Sequence, residues 1–269
     1  MIDWLYLPRA AIDAWRGETV RLNDMTVHVP GTRQERLSMV AGNLRIYRLF
    51  KRCVSPGATV IDVGANIGYN TIHAARLAGP DGRVIAVEPT PDTLAVLRHN
   101  ITASGLTNVA IKPVAAGHTA GTNDFFVRGR TSAVNSLFPD SNYARVTSVL
   151  RVPVMPLDQL VDGTADVVKI DVEGAELDVL EGMTRILRNP STAVIVEWHP
   201  LLQQLAGYTA DALPRWLLER GWGLQSASHL AVRPLMVADL PALTARLLRV
   251  RRPVDLLARR GPGGLGKMV

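Results

Sequence analysis

VIDVGANIGYNT, Val60 to Thr71, reads as a buried strand, a tight glycine turn and the start of a helix. Val60, Ile61 and Val63 are β-branched and apolar, which suits a pleated, covered strand, and Asp62 interrupts them near its end. Gly64 and Gly68 bracket a turn whose backbone takes φ values closed to most residues and, lacking Cβ, can approach a ligand closely. The helix that follows begins with unpaired N–H groups, so the turn is a pocket for a cofactor with an adenosine half. Asn70 and Thr71 open that helix and join Ala65 and Asn66 as residues expected beside the cofactor. The order Gly64-Ala65-Asn66-Ile67-Gly68 lacks the second-step glycine of the GxGxxG run of dinucleotide enzymes.

Outward from this turn the chain alternates strand and helix, the βαβ pattern of an α/β fold. Strands are expected at Thr59–Val63, Arg83–Glu88, Val109–Val114, Asp166–Asp171 and Ala193–Glu197, the last a nearly continuous apolar run. Helices are expected from Tyr69 to Leu77, Pro91 to Ser104, the IDVEGAE block to about Leu187, and Ala210 to Arg220. Segments Gly223–Ser226 and Leu230–Pro234 complete the sheet. Gly117 to Leu150 holds no periodic helix and is expected to supply substrate-facing loops. Ahead of the core, TVRLNDMTVHVP alternates as a hairpin turning at Asn23-Asp24, and Asn43–Cys53 reads as a helix. This divides the chain into an N-terminal cap, 1–55, a core, 56–238, and a basic C-terminal helix and tail, 239–269.

The 269 residues suffice for one large domain. No apolar run approaches the ~18 residues of a membrane-spanning helix, and the N-terminus lacks the basic lead-in of a secretory signal, so a cytoplasmic location is expected. Cys53 is the single cysteine, which excludes an internal disulfide and a cysteine-rich zinc site. Five of the six net positive charges fall after residue 238, where seven basic residues face Asp239 and Asp255. Such a segment suits a solvated tail or peripheral contact with an anionic membrane. It lacks the interleaved aromatics of a nucleic-acid platform.

Parallel sheets bind ligands beyond the carboxyl ends of their strands, and the acids follow that rule. Glu88, Asp171 and Glu197 each end a strand, so three carboxylates gather along one edge with the glycine turn. Glu88, followed by Pro89, is placed to accept hydrogen bonds from ribose hydroxyls. Asp62 either braces the turn or meets a cationic ligand group. Glu173 and Glu176 fall in a first helical turn, where negative charge is favoured without any function. Glu197 and His199 share a face if the strand continues, and His199 is a candidate for taking a proton from a hydroxyl. These acids and one imidazole could hold a hard cation such as Mg²⁺, though no ligand spacing demands one. The other five histidines read as structural or solvent-facing.

VIDVGANIGYNT, VEPTPDTLAVLRHNI and VVKIDVEGAELDVLEGM together resemble the hallmark blocks of the FkbM-type methyltransferases, which use S-adenosylmethionine. The resemblance covers about Pro56 to Pro200 and implies a Rossmann-like class I fold, a mostly parallel seven-stranded sheet with one antiparallel edge strand and helices on both faces. It implies methyl transfer to a hydroxyl oxygen of a sugar, glycolipid or secondary metabolite. It places the methionine half over Gly64, Ala65 and Asn66, the ribose on Glu88 and the adenine near Ala115 and Ala116, with Asp171 at the reaction edge. Many relatives carry a glutamate where this chain has AGNLR, Ala41 to Arg45. Asp171 or His199 is then the expected base, with Glu197 as orienting group. Two other readings remain open at this point: a non-catalytic cofactor-binding subunit and an NAD(P)-dependent oxidoreductase.

Overall fold

A computed structural model describes residues 13–16, 19–22, 25–30, 45–128, 135–139, 145–227 and 232–260. Strands β1 (Asp13–Arg16), β2 (Thr19–Leu22) and β3 (Met25–His28) form an antiparallel sheet. The expected hairpin is present, with Thr19 opposite His28, while its turn residues lie outside the described residues. Helix α1 (45–53) leads to β4 (Thr59–Val63), α2 (Tyr69–Ala78), β5 (Arg83–Val87), α3 (Pro91–Ala103) and β6 (Val109–Lys112). Next come the short strands β7 (Ala115–Ala116), β8 (Gly121–Val127) and β9 (Ser148–Met155), which form a separate sheet. The stretch read as loops thus carries strands at both ends. Helix α4 (Leu157–Leu160), β10 (Val167–Ile170), α5 (Glu176–Glu181), β11 (Ala193–Trp198), α6 (Pro200–Leu205) and α7 (Ala212–Glu219) continue the chain. Strands β12 (Trp222–Ala227) and β13 (Val232–Leu235), helix α8 (Leu240–Val250) and β14 (Val254–Arg260) complete it.

The main sheet has eight strands in the order β13-β12-β14-β11-β10-β4-β5-β6. Five of them, from β6 across to β11, run parallel, and β14 runs antiparallel to both neighbours. Two expectations need correcting. The sheet has eight strands because Val254–Arg260 adds β14 to the seven expected, and two strands run against the rest, β13 at the edge and β14 between β11 and β12. Val254–Arg260 is therefore part of the sheet and not a solvated tail. Leu256, Leu257 and Ala258 are buried, and that apolar centre outweighs the arginines around it. Residues 261–269 lie outside the described residues.

The period of two sorts the sheet residues onto two covered faces. Ile61, Val63, Val168, Ile170, Val194 and Val196 face a core filled by Leu177 and Leu180 of α5, Leu213 and Leu217 of α7, and Leu240 and Leu247 of α8. Val60, Val84, Val167 and Ile195 face Ile46, Leu49 and Phe50 of α1 and Ala74, Ala75 and Ala78 of α2. The helix expected to reach Leu187 stops at Gly182, where a Cβ would lie 2.1 Å from the Gly117 carbonyl oxygen. Helix α1 is tied to β14: Arg45 Nε pairs with Asp255 Oδ2 at 2.7 Å, and Arg259 donates to the Arg52 carbonyl and the Cys53 sulfur, both at 3.0 Å.

Candidate active site

The turn after β4 is built by close approach to its neighbours. Gly64 and Ala65 donate their N–H groups to the Val87 carbonyl at 3.0 Å, and Gly64, Asn66 and Gly68 have φ of 72°, 51° and 90°. A Cβ on Gly64 would lie 1.9 Å from the Asp171 carbonyl oxygen, and one on Gly68 would lie 2.6 Å from Leu97 Cδ1. Gly64 is needed against the backbone at the end of β10, whereas Gly68 is needed for its φ of 90°, since Leu97 of α3 can shift its side-chain end.

Glu88 is buried just past β5, accepting from Asn66 N at 3.1 Å and from Thr90 N at 3.0 Å. Burial pushes its carboxyl up, and these N–H donors pull it back. Each carboxylate oxygen keeps a lone pair for a further donor. Asn66 Oδ1, beside it, is buried without a hydrogen-bond partner. A polar, hydroxyl-rich ligand segment fits this donor and acceptor set. Ala115 and Ala116 are buried in β7, a few residues past the end of β6, and Pro89 is half-buried. Asn70 is buried at the start of α2. Asp62 and Thr71 are sealed from solvent, the Thr71 hydroxyl donating to Asp62 Oδ2 at 2.6 Å, so they act on the turn from beneath.

Lys169 is a site residue that nothing local in the sequence singles out. It is 2% exposed, with Nζ 3.2 Å from Asp62 Oδ1, 3.4 Å from Asp171 Oδ2 and 3.0 Å from the Gly64 carbonyl oxygen it donates to. Burial alone would pull its ammonium down, but the two carboxylates hold it above the usual lysine value. A signal was available, because the parallel register sets Lys169 of VVKI directly beside Asp62 of VIDV.

On the far side of this lysine lies the acid edge. Asp171, Glu173 and Glu197 are half-buried, and each has an oxygen within 4.8 Å of the others. Glu173 and Glu197 are pushed well above the usual carboxylate range, first by burial and then by neighbouring carboxylates, Asp171 foremost. As a donor set, three carboxylates suit a hard cation or a shared proton. Glu176 serves as a brace: Oε1 accepts from Gly174 N at 3.0 Å and Val172 N at 3.3 Å, and Oε2 from Gln203 at 2.9 Å. Burial raises its carboxyl to about 7. Arg128, also buried, donates to the carbonyls of Phe138 and Pro139 and holds that loop over the turn, with Phe138 against Gly174.

His199 lies past the end of β11 as the N-cap of α6, its Nδ1 accepting from Leu202 N at 3.4 Å. It is buried, which pushes the imidazole down, and it does not belong to the acid trio. His73 fits the structural reading: packed between Tyr47 and Tyr69, it is driven by burial to about 3 and stays neutral.

A family model described as the methyltransferase FkbM domain matches residues 62–222, more than half of the chain. The chain belongs to the FkbM methyltransferase family. Hexuronic acid methyltransferase AglP of Haloferax volcanii is 31% identical over 168 residues, 61% of this chain and 65% of that protein. Arsenite methyltransferase of Halobacterium salinarum is 37% identical over 65 residues, 24% of this chain and 17% of that protein. The chain thus spans less than two thirds of either relative. A methyltransferase FkbM from Methylobacillus flagellatus KT is similar in structure over 79% of this chain and 50% of its own, at 15% identity and a TM-score of 0.48. The matched family model is that of a methyltransferase domain, and the central sheet of the chain is mostly parallel. Among the described residues no helix is long and apolar enough to cross a membrane.

Proposed function

We propose that this FkbM methyltransferase transfers a methyl group from S-adenosylmethionine to a hydroxyl of a sugar, carried on a glycolipid, a glycan or a secondary metabolite. The observation behind this reading is the half-buried trio of Asp171, Glu173 and Glu197 within 4.8 Å of one another. Once their shared proton is shed, these carboxylates only accept hydrogen bonds, so the edge suits an acceptor that donates through hydroxyls. A carboxylate acceptor would instead meet three acids.

In this reading Gly64, Ala65 and Asn66 hold the amino-acid half of the donor, Glu88 its ribose, and Ala115 and Ala116 its base, with Asn70 and Pro89 lining the same pocket. When bound, S-adenosylmethionine supplies an electrophilic methyl carbon: the acceptor oxygen forms the new C–O bond as the C–S bond breaks and leaves its electron pair on sulfur. The protein then has two tasks, alignment and removal of one proton. Asp171, at the end of β10, orients the acceptor hydroxyl, and Glu197 takes its proton, a base strengthened by its buried, acid-rich surroundings. His199 fixes the start of α6, and its capping bond makes it the weaker choice for the base.

Incubating the protein with labelled S-adenosylmethionine and a panel of sugars and glycolipids tests this. The expected product is a methyl ether stable to mild alkali. An alkali-labile ester would point to carboxylate methylation instead. Calorimetry with S-adenosylmethionine and NAD separates the enzyme from an oxidoreductase, and binding without turnover on any acceptor would favour a non-catalytic subunit.

A further inference from the structure

Lys169 occupies a position that the sheet alone would fill with an apolar residue. Its neighbours on β10, Val167, Val168 and Ile170, are fully buried, and the strand pairs in regular parallel register with both β4 and β11. Burying an ion pair there gives no stability that a hydrophobic residue of similar volume would not. What the ammonium does uniquely is join three parts of the site: Asp62 below the glycine turn, the Gly64 carbonyl within it, and Asp171 at the acid edge. It is 3.2 Å and 3.4 Å from the two carboxylates, so the group carries one net negative charge instead of two.

That difference matters to a ligand that changes charge. S-adenosylmethionine is a cation at sulfur, and its demethylated product, S-adenosylhomocysteine, is neutral there. Two uncompensated carboxylates would hold the cationic reactant more tightly than a transition state in which that charge is dispersing, and uniform or ground-state binding does not accelerate the reaction. We propose that Lys169 is a positioning residue that sets the charge beneath the methyl donor: it fixes the Gly64 carbonyl and Asp171, and it cancels one carboxylate so that the site does not over-stabilise the reactant. This rests on the cofactor placement proposed above.

The readout is the ratio of dissociation constants, S-adenosylhomocysteine over S-adenosylmethionine, measured by calorimetry on the intact protein. Lys169→Met should raise the ratio about tenfold, because a charge at this depth acts through a low dielectric. The double variant Asp62→Asn with Lys169→Met restores the wild-type net charge and should return the ratio to within about twofold. Lys169→Arg keeps the charge and should keep the ratio even if both affinities fall. A merely structural lysine would weaken both ligands equally in Lys169→Met, and that result overturns the proposal. If Lys169→Met gives no folded protein by circular dichroism, Asp171→Asn is read instead, where the ratio should drop; an unchanged ratio again overturns it. Glu88→Ala separates the two levels. If it binds both ligands as the wild type does, the cofactor placement is wrong; if it loses both while the Lys169→Met ratio stays put, only the role of Lys169 is.

Discussion

The turns after β4 and β10 lie side by side at the carboxyl ends of neighbouring parallel strands, and both bend through positive φ. They are held by different means. The first is shaped by backbone contacts, Gly64 N and Ala65 N to the Val87 carbonyl, with the buried Lys169 ammonium on the Gly64 carbonyl and Glu88 accepting from Asn66 N, and its nearby acid, Asp62, is sealed. The second passes through Glu173 at φ 55° and Gly174 at φ 110°, and is held by the buried Glu176 carboxylate accepting two of its N–H groups. Its acids Asp171 and Glu173 stay half-exposed. The contrast separates two jobs. A turn made of shape can receive a large cofactor without changing its charge, whereas a turn made of carboxylates can take up and release a proton.

Gly64→Ala is the sharpest way to break the first turn. Its Cβ would need the space of the Asp171 carbonyl, 1.9 Å away, at a φ that L-residues rarely adopt. A loss of ~4 kcal/mol or more is expected in urea unfolding. At Gly174 the nearest atoms are 3.3 Å away, so Gly174→Ala should cost clearly less. Glu197→Gln tests the second turn's chemistry: kcat should fall by ~10²-fold or more while the affinity for S-adenosylmethionine changes little. In the wild type, kcat should rise with pH as the trio sheds its shared proton.

A subtler effect concerns Glu176, whose folded pKa of about 7 stands above its ordinary 4.5. The folded state therefore binds this proton more tightly than the unfolded one. Its contribution to stability is complete below about 4.5 and is lost as pH rises through about 7. Glu176→Gln cannot ionise. It should remove this slope and gain ~1–3 kcal/mol on the wild type between pH 5 and pH 8, read from unfolding curves at both values. Arg45→Met leaves the buried Asp255 carboxylate without its cation: it should cost ~3 kcal/mol at neutral pH, and the loss should shrink at low pH as Asp255 protonates.

The first turn was legible in the sequence because glycine spacing and β-branched runs are local signals. Val60 to Thr71, the strand ends at Glu88, Asp171 and Glu197, and the hairpin pairing Thr19 with His28 were all read from neighbours along the chain. The second turn was legible in composition but not in role. IDVEGAE gives three acids within six residues, and only the fold separates Glu176, which braces, from Glu173, which faces the acid edge. His199 shows the same limit, because a capping bond to Leu202 depends on where the strand stops. Strand β14 was hidden by charge: in VDLLARR the three central apolar residues are too short a run to outweigh the flanking arginines until their partners on β11 and β12 are known. Lys169 was hidden for the converse reason, a single charge inside an apolar run.

The insertion of β14 between β11 and β12 also has a consequence for how the molecule is made. Residues 254–260 must enter a gap whose walls are residues 193–198 and 222–227, and their side chains tie back to Arg45 and Cys53 some 206 to 210 positions earlier. Until they emerge from the ribosome, β11 and β12 each present an unpaired edge, the kind of surface that joins other chains. Closure of the sheet through β14 is thus a long-range step of folding that follows synthesis of β11 and β12.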